Sequence, residues 1–263
     1  MNSQIELKDI LRIGNSPCLI TLVGAGGKTS LMYELAKEVR TLGLSVITST
    51  TTRIFRPTEN LVPVVHLTED DEWRHNVIRD VSRHGHVCVA KSHDITSNKL
   101  LGLGDLEISH LIRMAQVTIV EGDGAAGHAV KGVEDWEPRI PSVSNIVIYV
   151  VGLDCIGKPA NCAVVHKLHK FLHLTGQRQN RLISLTSLAR LITHPDGGFR
   201  NVPESSDLYV VLNKSDTVRS FEVVQKLGAM IISLGRKRVK AVMTSGLYDN
   251  RRITTGIIPM NRI

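Results

Sequence analysis

Aromatic residues are scarce, at 4% of the 263 residues. That is too few for the stacking platform used by single-strand nucleic-acid binders. No apolar run approaches the ~18 residues of a membrane span. The opening stretch, MNSQIELKDILRIG, is polar. It lacks the apolar core and small-residue cleavage site of a secretory leader, so the expected location is cytoplasmic. The four cysteines, Cys18, Cys88, Cys155 and Cys162, show no C-x-x-C spacing. This absence argues against common zinc and redox signatures and for reduced thiols. No internal repeat or low-complexity segment interrupts the chain.

What is present is a globular composition, 42% apolar, in which apolar runs alternate with helical spacing. That alternation predicts an α/β fold, P-loop-type, with a mostly parallel sheet and helices on both faces. Strands are expected at 19–23, 45–49, 86–90, 116–120, 146–151, 208–212 and 239–243. Helices are expected at 29–42, 69–84 (capped by Thr68), 105–114, 164–174, 186–192 and 220–234. A single nucleotide-binding domain over 1–263 is the simplest organisation, with a less regular inserted region at about 124–206.

Three segments carry candidate chemistry. The first strand runs into Gly24-Ala25-Gly26-Gly27-Lys28-Thr29-Ser30. Glycines let backbone N–H groups surround phosphate oxygens, and the helix start adds positive potential. Lys28 would reach the β- and γ-phosphates, and the Thr29 hydroxyl would ligate Mg²⁺. Two residues, rather than the standard four, separate Gly24 from Gly27-Lys28. This shorter G-x-x-G-K-T form resembles the loop of Mur-type peptide ligases.

The second segment is Glu121-Gly122-Asp123 at a strand end. Carboxylates there face the crevice in which α/β proteins bind ligands. Asp123 or Glu121 could hold Mg²⁺ through water, or orient an attacking water, with Asp123 the favoured metal candidate. Among the threonines 48 and 50–52, Thr51 is a further metal candidate, as a switch threonine is.

The third is Asn213-Lys214-Ser215-Asp216 after an apolar strand. An ionised Asp only accepts hydrogen bonds, so Asp216 suits the two adjacent donors of guanine. Asn213 would brace the loop, and the Lys214 stem would cover the base. An Asx turn opening a helix is the competing reading. His166, His169 and His173 fall at i, i+3 and i+7 of an expected helix and would share a face. Separate surface or packing roles suit them better than a metal site.

The segments LVGAGGKTS, TSTTTR, VEGDGAAGHAVK, VVGLDCIGKPAN, LARLITHPDGG and VVLNKSD occur in this order over most of the chain. Together they resemble the selenium cofactor biosynthesis protein YqeC family, accessory proteins of selenium-dependent molybdenum hydroxylases. The resemblance implies a pathway more firmly than a reaction. Gly122 and His128 depart from its usual E-A-D-G-A-A-G-R, and the missing arginine weakens a phosphate clamp at 128. The resulting expectation is a Mg²⁺-dependent nucleotide-binding accessory protein, a slow NTPase favouring GTP over ATP. Its partner would be a molybdenum hydroxylase or its molybdopterin cofactor. One alternative is an ATP-dependent transferase or ligase acting on a small anionic substrate. Another is a non-hydrolysing binder of a phosphate-bearing molybdopterin-type cofactor.

The formal charge of +7 is unevenly spread. Residues 1–159 hold 16 basic and 19 acidic side chains, residues 160–200 hold 6 and 1, and residues 235–263 hold 7 and 1. Phosphate affinity at the glycine loop must therefore come from local geometry and Lys28. The basic excess, including Arg236, Lys237, Arg238, Lys240, Arg251 and Arg252, is a candidate surface for an anionic cofactor or acidic partner.

Overall fold

The computed structural model describes residues 17–246. The polar opening stretch and Arg251 and Arg252 lie outside the described residues.

The chain opens with β1 (Cys18–Gly24), α1 (Lys28–Thr41), β2 (Val46–Thr50) and β3 (Arg53–Phe55). Next come β4 (Val65–Leu67), α2 (Trp73–His84), β5 (His86–Ala90), β6 (His93–Asp94) and β7 (Lys99–Leu101). The middle holds α3 (Asp105–Leu111), β8 (Val117–Glu121), β9 (Val130–Lys131), β10 (Ile146–Gly152) and β11 (Val165–His166). The remainder is α4 (Leu168–Thr175), α5 (Leu185–Thr193), β12 (Asp207–Asn213), α6 (Phe221–Gly235) and β13 (Val239–Ser245).

Eight strands form one sheet in the order β13-β12-β10-β1-β8-β2-β5-β4. Every neighbouring pair in it is parallel. β1, β2, β8 and β10 are buried along their whole length. This explains why they read as apolar runs and not as alternating patterns.

Side-chain alternation along β1 divides the core. Ile20 and Leu22 pack with Leu31, Met32, Leu35 and Val39 of α1 on one face. Leu19 points to the opposite face, with Trp73 and Val77 of α2 and Ile108 and Leu111 of α3. Val23 shares that face with Phe171 of α4, Leu188 of α5 and Leu227 of α6. Helices therefore cover both faces. The stretch 124–206 includes the central strand β10 as well as α4 and α5.

Three expected elements are corrected. The helix expected from Glu69 begins at Trp73, and Thr68 does not cap it. The Thr68 hydroxyl instead donates to Glu107 Oε1 at 3.2 Å, while Asp70 Oδ1 accepts the Glu72 N–H in a local turn. Helix α3 ends at Leu111, with 112–114 in turn conformation. The helix expected over 164–174 is divided, because Lys167 adopts φ +55° and Val165–His166 pair with Val130–Lys131. His166 thus lies on a strand, off the face carrying His169 and His173.

Candidate functional site

The site is assembled at the C-terminal end of the central strands, where β1 lies between β8 and β10. The loop after β1 is forced by backbone geometry. Gly26 and Gly27 have φ of +85° and +118°, a region open to glycine. A Cβ on Gly26 would strike the Gly152 backbone, and one on Gly27 would strike the Asn213 amide. Helix α1 then begins directly at Lys28. Its first N–H groups have no intrahelical partners and face outward as donors.

Lys28 is buried. Its ammonium donates to the Gly24 carbonyl at 2.7 Å. It lies 3.2 Å from Asp123 Oδ1 and 3.7 Å from Glu121 Oε1. The Thr29 hydroxyl donates to Glu121 Oε2 at 2.6 Å. Burial pushes the Glu121 carboxyl above its ordinary pKa, against the opposing pull of Lys28 and Thr29. Thr29 and Glu121 thus present two hard oxygen donors side by side next to the loop lysine. That donor set fits Mg²⁺, which prefers oxygen ligands and water.

Asp123 has a different surrounding. Its two carboxylate oxygens accept the Gly24 N–H at 3.0 and 3.1 Å. Lys131 Nζ donates to Oδ2 at 3.0 Å. Asp123 therefore anchors the loop to the segment that carries Lys131. Thr51, expected at the metal, donates its hydroxyl to the Arg139 carbonyl at 2.9 Å, and its N–H goes to the Glu121 carbonyl. It braces the end of β8. Ser30 is exposed on the first turn of α1. Ala25 is held through its N–H by the Val150 carbonyl at 2.9 Å.

The third segment meets the loop from the other side. Asn213, at the end of β12, donates Nδ2–H to the Gly26 carbonyl at 2.7 Å, and its Oδ1 accepts the Lys214 N–H. Lys214 Nζ donates to Asp154 Oδ2 at 2.9 Å. Asp216 is exposed on the short turn Ser215–Thr217.

Lys131 is the residue the sequence did not disclose. It has no solvent exposure, and it donates to Asp123, to the Gly124 carbonyl at 2.9 Å and to Glu137 Oε2 at 2.7 Å. Burial alone would lower its pKa. Asp123 and Glu137 outweigh that, and the ammonium is held above the ordinary lysine value. The available signal was a lone lysine inside the apolar run Ala129-Val130-Lys131-Gly132-Val133.

His169 and His173 sit on α4, and no group of three or more His, Cys, Asp or Glu suited to a metal occurs among the described residues. All four cysteines are free. Burial pushes Cys18, Cys88 and Cys155 up to about 11, 12 and 12, whereas Cys162 is exposed. No helix among the described residues is long and apolar enough to cross a membrane.

An all-parallel sheet whose central strand runs through a glycine loop into a Lys-Thr helix start defines a P-loop-type α/β protein. Residues 20–169 match the family model described as YqeC protein. The chain belongs to the YqeC protein family. Its curated relative, "Uncharacterized protein YqeC" of Escherichia coli (strain K12), is 31% identical over 218 residues, covering 80% of this chain and 83% of the relative. Solved structures that match the chain include chloroplast FtsY from Physcomitrella patens, with TM-score 0.45 and 12% identity over 92% of this chain. FtsY from Mycoplasma mycoides gives TM-score 0.42 and 14% identity over 90% of this chain and 67% of that one. The MinC:MinD complex of Aquifex aeolicus gives 0.37 and 12% over 86% and 81%. The chain spans 63% of the Physcomitrella structure, less than two thirds of its length.

Proposed function

We propose that this protein binds a nucleoside triphosphate with Mg²⁺ at Gly24–Ser30 and hydrolyses it slowly, with GTP favoured over ATP. The observation that carries this reading is the 2.6 Å pairing of the Thr29 hydroxyl with Glu121, beside buried Lys28. Thr29 and Glu121 would hold the ion, which supplies charge neutralisation for the phosphates when bound. Lys28 would exchange its contacts with Gly24 and Asp123 for β- and γ-phosphate oxygens. Glu121 would also orient the attacking water. Asp123 is the loop anchor, with any metal role exerted through water.

Asn213, tied to the loop by its amide, supports placing the base over Lys214 and against Asp216. The order and extent of the segments resembling the selenium cofactor biosynthesis family support a cytoplasmic accessory role in maturing molybdenum hydroxylases. One domain over 1–263 is the organisation that a sheet built from both ends of the described chain supports.

The test is nucleotide binding by calorimetry with and without Mg²⁺. Lys28→Ala should weaken GTP binding at least about tenfold, the scale of a lost charge-assisted contact. Thr29→Ala should remove the Mg²⁺ dependence, and it leaves the buried charges in place. Wild-type GTP affinity in both variants would sink the phosphate-loop reading.

A further inference from the structure

A cavity of about 510 Å³ opens on the far side of the segment that props the loop. His128, His166 and His169 line it together with Val165, Leu168 and Leu172. Its size suits a small-molecule site. No aspartate or glutamate is among its lining residues.

The walls are ordered by specific contacts. The His128 and His166 rings stack, with centroids 5.4 Å apart and planes at 30°. The two ring nitrogens of His128 face the Ala125 and Cys162 carbonyls, each at 3.1 Å. The flat imidazole pair and three aliphatic side chains offer a face for a planar ring. Besides its histidines, the lining carries one cationic side chain, Lys167. Burial lowers the His166 pKa first, and Lys131 and Lys167 lower it further, opposed only by Glu137. Lys167 pairs with Glu137 at 2.8 Å, and His169 lies 3.4 Å from Glu134. Neither carboxylate is part of the lining.

The cavity wall and the phosphate loop share backbone. The His128 carbonyl accepts the Gly26 N–H at 2.9 Å, and the Ala129 carbonyl accepts the Gly152 N–H at 2.8 Å. His166 pairs in register with Lys131, whose ammonium holds Asp123 against Gly24. Whatever settles on the stacked rings therefore presses on two supports of the loop.

We propose that this cavity is a second-ligand site for a planar, anionic small molecule, and that its occupancy is coupled to the nucleotide through His128 and Gly26. The coupling rests on the nucleotide reading above; the cavity assignment does not. A ligand here sits beside the loop that grips the phosphates, where a co-substrate or effector of the nucleotide reaction belongs.

The probe is 2-naphthoate, a planar carboxylate with no phosphate to compete for the loop. Titration of the full chain, followed by calorimetry and imidazole proton NMR, should shift the His128 and His166 signals with a Kd below about 1 mM. His166→Ala should weaken binding about fivefold or more by removing half of the stack. His169→Glu alters an exposed ring, and the carboxylate it places at the mouth should repel the probe. A slowly hydrolysed GTP analogue should change naphthoate affinity by about threefold or more, and naphthoate should change the analogue's affinity by the same factor.

Absence of binding at ~10 mM, or wild-type affinity in both variants, overturns the cavity assignment. Analogue binding with no mutual effect overturns the coupling. Naphthoate binding in a protein that binds no nucleotide overturns the coupling and the nucleotide reading, and leaves the cavity assignment standing.

Discussion

Asn213 and Gly26 stand 187 positions apart in the chain, and the Asn213 amide donates to the Gly26 carbonyl at 2.7 Å. The bond ties the end of β12 to the crown of the phosphate loop. Asn213→Ala leaves a buried carbonyl without that donor, which costs about 1–3 kcal/mol. Asn213→Asp should fare no better, because a carboxylate has no N–H to donate. Urea unfolding should show both losses, and GTP affinity should fall with them. A fully stable alanine variant would remove Asn213 from the loop's support.

The base-reading role rests on Asp216. Asp216→Asn replaces one acceptor with a donor and should invert the match to guanine. Competition binding should then favour xanthosine triphosphate over GTP by about tenfold, the scale of one mispaired polar edge. The exposed position of Asp216 makes a folding defect an unsuitable explanation for a changed preference. An unaltered GTP preference would leave the turn 215–217 outside the nucleotide site.

Lys131 is enclosed by Asp123, Glu137 and the Gly124 carbonyl. Lys131→Met takes one cation from Asp123, which keeps Lys28, and from half-buried Glu137, which keeps Lys167, and should cost about 1–3 kcal/mol. Lys131→Met combined with Glu137→Gln should recover part of that loss, because one of the two carboxylates that lost a cation is gone. Chemical denaturation of the single and double variants gives the coupling directly. Additive losses would mean that the pair does not act as a unit.

His86 supplies an acid limit. It is buried, with its Nε2 3.1 Å from the Thr48 hydroxyl. Burial and the Arg40 guanidinium lower its pKa from 6.5 to about 4. The unfolded chain therefore binds this proton more readily than the folded one. Stability is full above about pH 6.5 and falls as the pH drops toward 4, by on the order of 3 kcal/mol. His86→Gln should flatten that segment of the stability profile measured by urea melts between pH 7 and 4. An equally steep profile in the variant would assign the slope to other groups.

The central strands were legible because burial on both faces makes each one a continuous apolar run. The glycine loop and the Asn213 segment were legible because their residue types have few other uses in that order. What the local pattern could not carry was long-range pairing. His166 belongs to a strand only because Val130 and Lys131 arrive beside it, and the helical spacing of three histidines concealed that. Thr68 has the chemistry of a cap, but Glu107 takes its hydroxyl. Asp123 and Thr51 were legible as polar groups at strand ends, but not as anchors. Their partners, Lys131 and the Arg139 carbonyl, lie 8 and 88 positions away.

The strand order also sets a timetable for synthesis. β1 (Cys18–Gly24) emerges long before its sheet neighbours, β8 at Val117–Glu121 and β10 at Ile146–Gly152. The phosphate loop that follows β1 cannot be supported on both sides until β10, which ends at Gly152, has left the ribosome. Parallel pairings of such long sequence separation form slowly. During translation, Cys18–Gly24 is an apolar segment with no neighbouring strand to pair with. The phosphate loop is therefore made well before the strands that hold it in shape.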